Sequence, residues 1–463
     1  MRKSFKITAL TIAMFAVISI TAFANAGPSE WYGSDSATVV STADCPLIVQ
    51  SEKLDFEINS LPLDYYYDYE KEKFSNYTDR FTAEYTFYNP TDRAITAQLA
   101  FPLGMMPEYA AFEIDKDKFP VLVNGQETEK EIRYTKSDDY MAFDFGDEIP
   151  KLVDGYIEDE FFKPDMTVTK YTLIPHMDQN IDYKNEIRIV WDGANTDKTR
   201  IIPYRFSGYK WEEGKKSIID ASLTGDYPVI YALGQPFDEF PQYGFYENWE
   251  DNAQEISGQL EIVTEQTTLE QVLMEFCKKF DGNWNVSWHD TFNMFVSSVN
   301  RDRDYYNTVG VIHIEELYSY KSYLVCWYLY DITVGPGETV TNTVNGPLYP
   351  DVDLEYEPWK YRYKYLLSPA QEWADFGDIE ININTPYHML EVNQKNFLIT
   401  DTGYMYKGDG LPQGELEFVL CESDSPKSVN KGYMLAIGIP ALLGIVFMTG
   451  TVVAMVHIFR KYD

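Results

Sequence analysis

Over much of this 463-residue chain, apolar and polar positions alternate with a period of two. That period predicts strands with one buried face. Residues 53–58 follow it, and the clearest hairpin lies in residues 80–101. There Phe81, Ala83, Tyr85 and Phe87 alternate, Asn89-Pro90-Thr91-Asp92 turns, and Ile95, Ala97, Leu99 and Phe101 alternate back. Val121-Leu122-Val123 followed by Asn124-Gly125 predicts a second hairpin, since Asn-Gly suits the positive φ angles of a type I′ turn. Shorter strands are predicted at 167–174 and 187–191. Residues 323–332 are almost continuously apolar, which suits a strand buried on both faces. Residues 339–344 and 379–383 alternate again.

The middle of the chain switches to a helical period. Leu269, Val272, Leu273, Phe276 and Phe280 recur on one side, Thr267 and Glu270 form a capping box, and Gly282 ends the run. This predicts a helix near 268–280. Phe292, Phe295, Val296 and Val299 predict a second near 291–299. The expected fold is mainly β, with two β-sandwich-type modules, a small helical insertion between them and a C-terminal transmembrane helix. The expected boundaries are a signal peptide at 1–26, a polar leader at 27–50 and an N-terminal sandwich at 51–206. A mixed insertion at 207–308, a C-terminal β module at 309–422 and a linker at 423–431 follow, then the membrane helix at 432–459 and a tail at 460–463.

The two ends carry the strongest hydrophobic signals. Arg2, Lys3 and Lys6 precede an uncharged stretch over 7–23, and Ala24-Asn25-Ala26 supplies small residues for cleavage. Residues 432–459 contain no Asp, Glu, Lys or Arg, enough for a helix across a bilayer core of about 30 Å. Together they predict a single-pass protein of the cell membrane, its N-terminal ectodomain outside the cytoplasm and Arg460-Lys461 flanking the span inside. The lipid bilayer is then one partner, through the C-terminal helix. Gly450 and Ala454, four apart, offer a close helix contact to a protein partner in the membrane or envelope.

Composition narrows the function classes. Formal net charge is −35, which excludes nucleic acid, since phosphate binding needs clustered Lys and Arg. Apolar residues at 45% and aromatics at 16% are too abundant for a disordered acidic chain. The 37 tyrosines are read as strand formers with a polar tip in preference to platforms for sugar rings. Of four cysteines, Cys277 and Cys326 fall in apolar surroundings and are expected as buried thiols. Sequence leaves all three full pairings with Cys45 and Cys421 open.

The stretch AEYTFYNPTDRAITAQLAFPLG, followed by the Val123-Asn124-Gly125 turn, resembles the opening of a vault/inter-α-trypsin-type β-sandwich. The wider layout resembles bacterial exported, membrane-anchored families of unknown function. Those share a late W-x-x-FGDIEIxI strand, matched here by Trp373, Phe376 and Gly377. The resemblance implies a fold and a location. Its motifs are structural, and no active site comes with it.

Candidate chemistry is sparse. The five histidines show no i, i+4 pair, and neither HExxH nor GxSxG occurs. Ser207 and Lys210 have S-x-x-K spacing without the KTG that would accompany it in a penicillin-binding-type site. The metal candidate is a calcium-type loop, with oxygens at alternate positions on Asp281, Asn283, Asn285 and Ser287. Its sixth position is Val286 where such loops need Gly, and its twelfth is Phe292 where they need Glu. The expected role is therefore non-enzymatic: binding, adhesion or envelope assembly. The alternatives are an extracellular sensor or accessory subunit of a membrane complex, and an anchored hydrolase. A cleft holding two carboxylates, one with a raised pKa, would mark the hydrolase.

Overall fold

The computed structural model describes residues 22–429, apart from 25–26, 34–39, 42–44, 62–78, 106–117, 138–147, 213–215, 251, 282–283, 302–309 and 314–323. The greater part of the expected signal segment, the whole membrane helix at 432–459 and the tail at 460–463 lie outside the described residues. Among those described, no helix is long and apolar enough to cross a membrane. The described residues are mainly β, with two α-helices and several sheets among them.

The chain divides into two compact units. The first takes residues from both ends: Met1–Gly104, Asp115–Lys130 and Tyr330–Asp463. The second is Met105–Ile114 with Glu131–Leu329. This differs from two modules in tandem, because the expected sandwich at 51–206 runs across the division. Alternation along a strand tells which face is buried, but not which distant strand completes the sheet.

In the first unit the hairpin strand Arg80–Tyr88 pairs on one side with Ile48–Glu57 and on the other with Thr339–Pro347. Ile48–Glu57 pairs in parallel with the late strand Phe376–Asn384. Gly377 sits there because a Cβ would lie 2.2 Å from the Gln50 carbonyl oxygen. A second sheet of Lys360–Leu366, Leu416–Cys421 and His388–Val392 covers the first. The rings of Phe56 and Phe81 pack on Tyr365 with centroids 5.5 and 5.7 Å apart, and Phe56 packs on Phe418 at 5.6 Å. Trp373 lies 4.8 Å from Phe87. Each large buried ring stabilises by about 1.5–3 kcal/mol.

Two sequence readings here hold in detail. Asn124 and Gly125 have φ of 50° and 75°, as a type I′ turn requires. Asn89, fully buried, donates through Nδ2 to the carbonyls of Arg93 (2.7 Å) and Val334 (2.9 Å). Its Oδ1 accepts from the Thr91 amide (3.0 Å) and hydroxyl (2.7 Å). The backbone over Gly27–Gly33, expected as a loose leader, is a strand paired with Ile95–Met105.

The second unit is a sandwich that the sequence reading placed only in fragments. One sheet has the order Thr199–Tyr204, Val229–Gly234, Thr167–Met177, Gly258–Thr268. The facing sheet has the order Gly208–Glu212, Lys216–Ser222, Glu186–Asp192, Gln242–Tyr246, Glu255–Ile256. Leu173, Ile201, Ile230 and Ala232 from the first meet Ile187, Ile189, Ile219 and Phe245 from the second in one apolar core.

Helix α1 (Leu269–Asp281) covers the outer side of the four-stranded sheet, where Phe276 packs on Tyr204 at 4.9 Å and Tyr231 at 5.6 Å. Two strands of that sheet are consequently buried almost throughout, which is why they show no alternation. The cap of α1 lies one residue beyond the expected box. The Thr268 hydroxyl accepts from the Gln271 amide at 3.2 Å, and Gln271 Oε1 accepts from the Thr268 amide at 3.3 Å. Full burial of Leu269 and Leu273 sets this register.

Helix α2 (Trp288–Arg301) packs on the strand Glu131–Lys136. All four cysteines are buried and none forms a disulfide, and burial is as expected for Cys277 and Cys326. Burial pushes the Cys45 thiol up to about 11.

Candidate functional site

The five-stranded sheet of the second unit keeps one face toward solvent. Along Glu186–Asp192, Ile187, Ile189 and Trp191 enter the core, so Glu186 and Arg188 project the other way. Register brings Asp220 beside Arg188 and Ser222 beside Glu186 on one flank. On the other flank it brings Tyr246 beside Glu186 and Gly244 beside Arg188. Gly208 comes opposite Asp220, and a Cβ there would meet the Asp220 carboxylate at 2.9 Å. The absence of a side chain at 208 makes room for that carboxylate.

A groove of about 250 Å³ crosses this face. Glu186, Asp220 and Asn185 contribute polar groups, Ser207 and Ser222 contribute hydroxyls, and Tyr183 and Trp249 supply its aromatic surfaces. These two rings are 70% and 64% exposed, although large aromatics usually bury most of their surface.

Both aromatics sit on turns fastened to the sheet. Arg188 donates through Nη2 to the carbonyls of Asn248 (3.0 Å) and Glu250 (2.9 Å), the residues on either side of Trp249. Asn248 Oδ1 accepts from the Glu250 amide at 2.8 Å and closes the turn. The Arg188 guanidinium also stacks over the Tyr246 ring at 4.3 Å and lies 2.6 Å from Glu186 Oε1. On the other turn, Asp182 Oδ1 accepts from the Lys184 amide at 2.8 Å, and Asn185 Oδ1 accepts from the Asp182 amide at 2.7 Å. Asn185 Nδ2 donates to the Glu247 carbonyl at 3.1 Å, so one side chain ties the two aromatic-bearing turns together.

The electrostatics of the groove floor are mixed. Burial lifts the Glu186 carboxyl, Arg188 pulls it down, and the nearby Asp220 carboxylate lifts it further; the net direction is up. Arg188 Nε stands 3.7 Å from Asp220, so one guanidinium serves both carboxylates. Lys184 Nζ lies 5.8 Å from the centroid of the Tyr183 ring.

A second polar cluster is structural in character. Asp290 accepts from Arg133 Nε at 2.7 Å and from the Tyr134 amide at 2.9 Å, with both ionic side chains buried. His289 Nε2 faces the Gly155 carbonyl at 2.7 Å and therefore carries the proton, leaving Nδ1 to accept from Arg133 at 2.9 Å. This network fixes α2 to the strand Glu131–Lys136.

The expected calcium-type ligands fall around the junction between the helices. Asp281 ends α1, and Asn283 lies outside the described residues. Asn285 is exposed. Ser287 Oγ accepts from the Asp290 amide at 3.1 Å and caps α2. Among the described residues, no group of three or more His, Cys, Asp or Glu is arranged to hold a metal. Ser207 of the S-x-x-K string does line the groove.

Sequence reasoning missed the groove because its residues are scattered over 183–249 and share no motif. The usable signal was Tyr183 and Trp249, each set in a polar, turn-forming stretch where no core could claim it.

No family model matches the chain, and no curated protein matches it either. Among solved structures, one described as a "putative nutrient binding protein" from Legionella pneumophila superimposes with a TM-score of 0.32 at 10% identity. It covers 87% of this chain and 72% of its own. A likeness that distant carries no argument about ligand or role.

Proposed function

We propose that this chain is an exported, membrane-anchored binding protein with no catalytic role, whose ligand seats in the groove between Tyr183 and Trp249. The observation that carries the reading is the pair of exposed aromatic rings held on fastened turns over a polar floor. Holding the rings in place beforehand reduces the ordering cost of binding, and aromatic anchors dominate the energetics of recognition sites. Location rests on the charged-apolar-small grammar of residues 1–26 and the uncharged run at 432–459. The N-terminal hairpin with Asn89 and the Asn124-Gly125 turn support a vault/inter-α-trypsin-like sandwich in the first unit.

An anchored glycan hydrolase is the second reading, favoured by the lifted carboxyl of Glu186 beside Asp220. Against it stands Arg188, which serves both carboxylates from within the space that such enzymes keep for the scissile bond or a water.

Hydroxyl-radical footprinting tests the binding role. In purified full-length protein, Trp249 and Tyr183 should oxidise readily. On intact cells carrying the native envelope, both should be protected relative to other exposed rings such as Tyr227. Equal oxidation in the two settings would refute the groove as a binding site.

A further inference from the structure

We infer that the ligand of this groove is a neutral saccharide chain, with one sugar ring stacked on Trp249. This rests on the binding role proposed above and gives it a ligand class.

The argument runs by chemistry. A pyranose ring presents a face of weakly positive C–H groups and an edge of hydroxyls. An aromatic face is electron-rich, so it attracts the first. Carboxylates, amides and hydroxyls at the side bond the second. The groove supplies both kinds of surface: two broadly exposed rings, and a floor containing Glu186, Asp220, Asn185 and Ser207. Free space of about 250 Å³ matches a short segment of a chain more closely than the ~300–1,000 Å³ pockets that enclose whole drug-sized ligands.

Other classes fit less well. Anionic ligands meet two carboxylates on the floor of a protein with formal charge −35. A quaternary ammonium group needs rings that surround it. Here the rings are open to solvent, and Lys184 already stands over Tyr183. A peptide adding itself as a strand needs a free sheet edge, whereas the groove crosses the face over a strand paired on both sides.

The experiment is a titration of the full-length protein in detergent with four probes. These are a β-linked glucose hexamer, a β-linked N-acetylglucosamine hexamer, a galacturonate oligomer and a trimethyl-lysine peptide, each followed by calorimetry and tryptophan fluorescence. At least one of the two hexamers should bind, and the galacturonate oligomer should not. Trp249→Ala should weaken that binding at least about tenfold, the loss expected for an aromatic anchor. Tyr183→Ala should weaken it by a smaller factor. Both side chains are exposed, so circular dichroism and the melting temperature should stay unchanged.

Failure of both hexamers, or hexamer binding that Trp249→Ala leaves within about twofold of wild type, would overturn the saccharide assignment. Binding of the trimethyl-lysine peptide alone, abolished by Trp249→Ala, would overturn it too. That last result would still leave the groove as a binding site, and so separates this inference from the reading beneath it.

Discussion

Arg188 is the residue through which the groove and the sheet depend on each other, and Arg188→Met tests that dependence. Its side chain is 14% exposed and that of Glu186 8%, so the pair is largely out of water. Methionine keeps the aliphatic stem but loses the bonds to Glu186 and to the Asn248 and Glu250 carbonyls. Breaking a buried pair by removing one member costs about 3–5 kcal/mol, mostly because the other charge stays buried alone. Adding Glu186→Gln removes that charge and should recover about 1.5–3 kcal/mol, the scale of a charged hydrogen bond.

The sign of the pH effect follows from the same groups. Without the guanidinium, burial and Asp220 both lift the Glu186 carboxyl. Between its ordinary value of 4.5 and the lifted value, the native variant then holds more protons than the unfolded chain. Its stability should therefore fall as pH rises through that window and recover on acidification. Denaturant unfolding at about pH 8 and about pH 5 measures both quantities. Hydrogen exchange at residues 248–250 should accelerate in parallel. A cost below about 1 kcal/mol at pH 8, unchanged at pH 5, would refute the assignment of Arg188 as the fastening.

Two further predictions concern the sandwiches themselves. Asn89→Ala removes four hydrogen bonds, among them the buried one to the Val334 carbonyl, so it should destabilise the protein by about 2–4 kcal/mol, while Pro90→Ala, at an exposed position, should cost under about 0.5; matched midpoints in urea would contradict this. Burial, aided by Glu275 and Glu422 respectively, pushes the phenols of Tyr231 and Tyr361 up to about 12 from an ordinary 10.0. The unfolded chain releases these protons first, so stability should decline between pH 10 and 12 by about 1–2 kcal/mol per tyrosine once solvent screening is allowed for, with phenolate absorbance rising in two stages; one stage near 10, with no loss of structure, would argue against it.

The histories of the two sandwiches differ in how much the sequence could say. Strands with one wet face were readable, because alternation records which side meets water: Arg80–Tyr88, residues 95–99 and residues 379–384 all follow it. Both helices were readable from their apolar stripes, the first to within one residue at each end and the second to within three. Thr199–Tyr204 and Val229–Gly234 were not, since α1 and the sandwich core bury both of their sides and erase the period.

Local pattern determined β character, helix positions, the Asn89 and Asn124-Gly125 turns and the acidic surface, because each depends on neighbours a few residues away. Tertiary structure decided the pairing of residues 48–57 with 376–384, and so the building of the first unit from both ends of the chain. It also assembled Tyr183, Glu186, Asp220 and Trp249 into one groove. Hydrogen-bond register across strands distant in sequence created both, and the alternation of a single strand is identical whichever partner it finds.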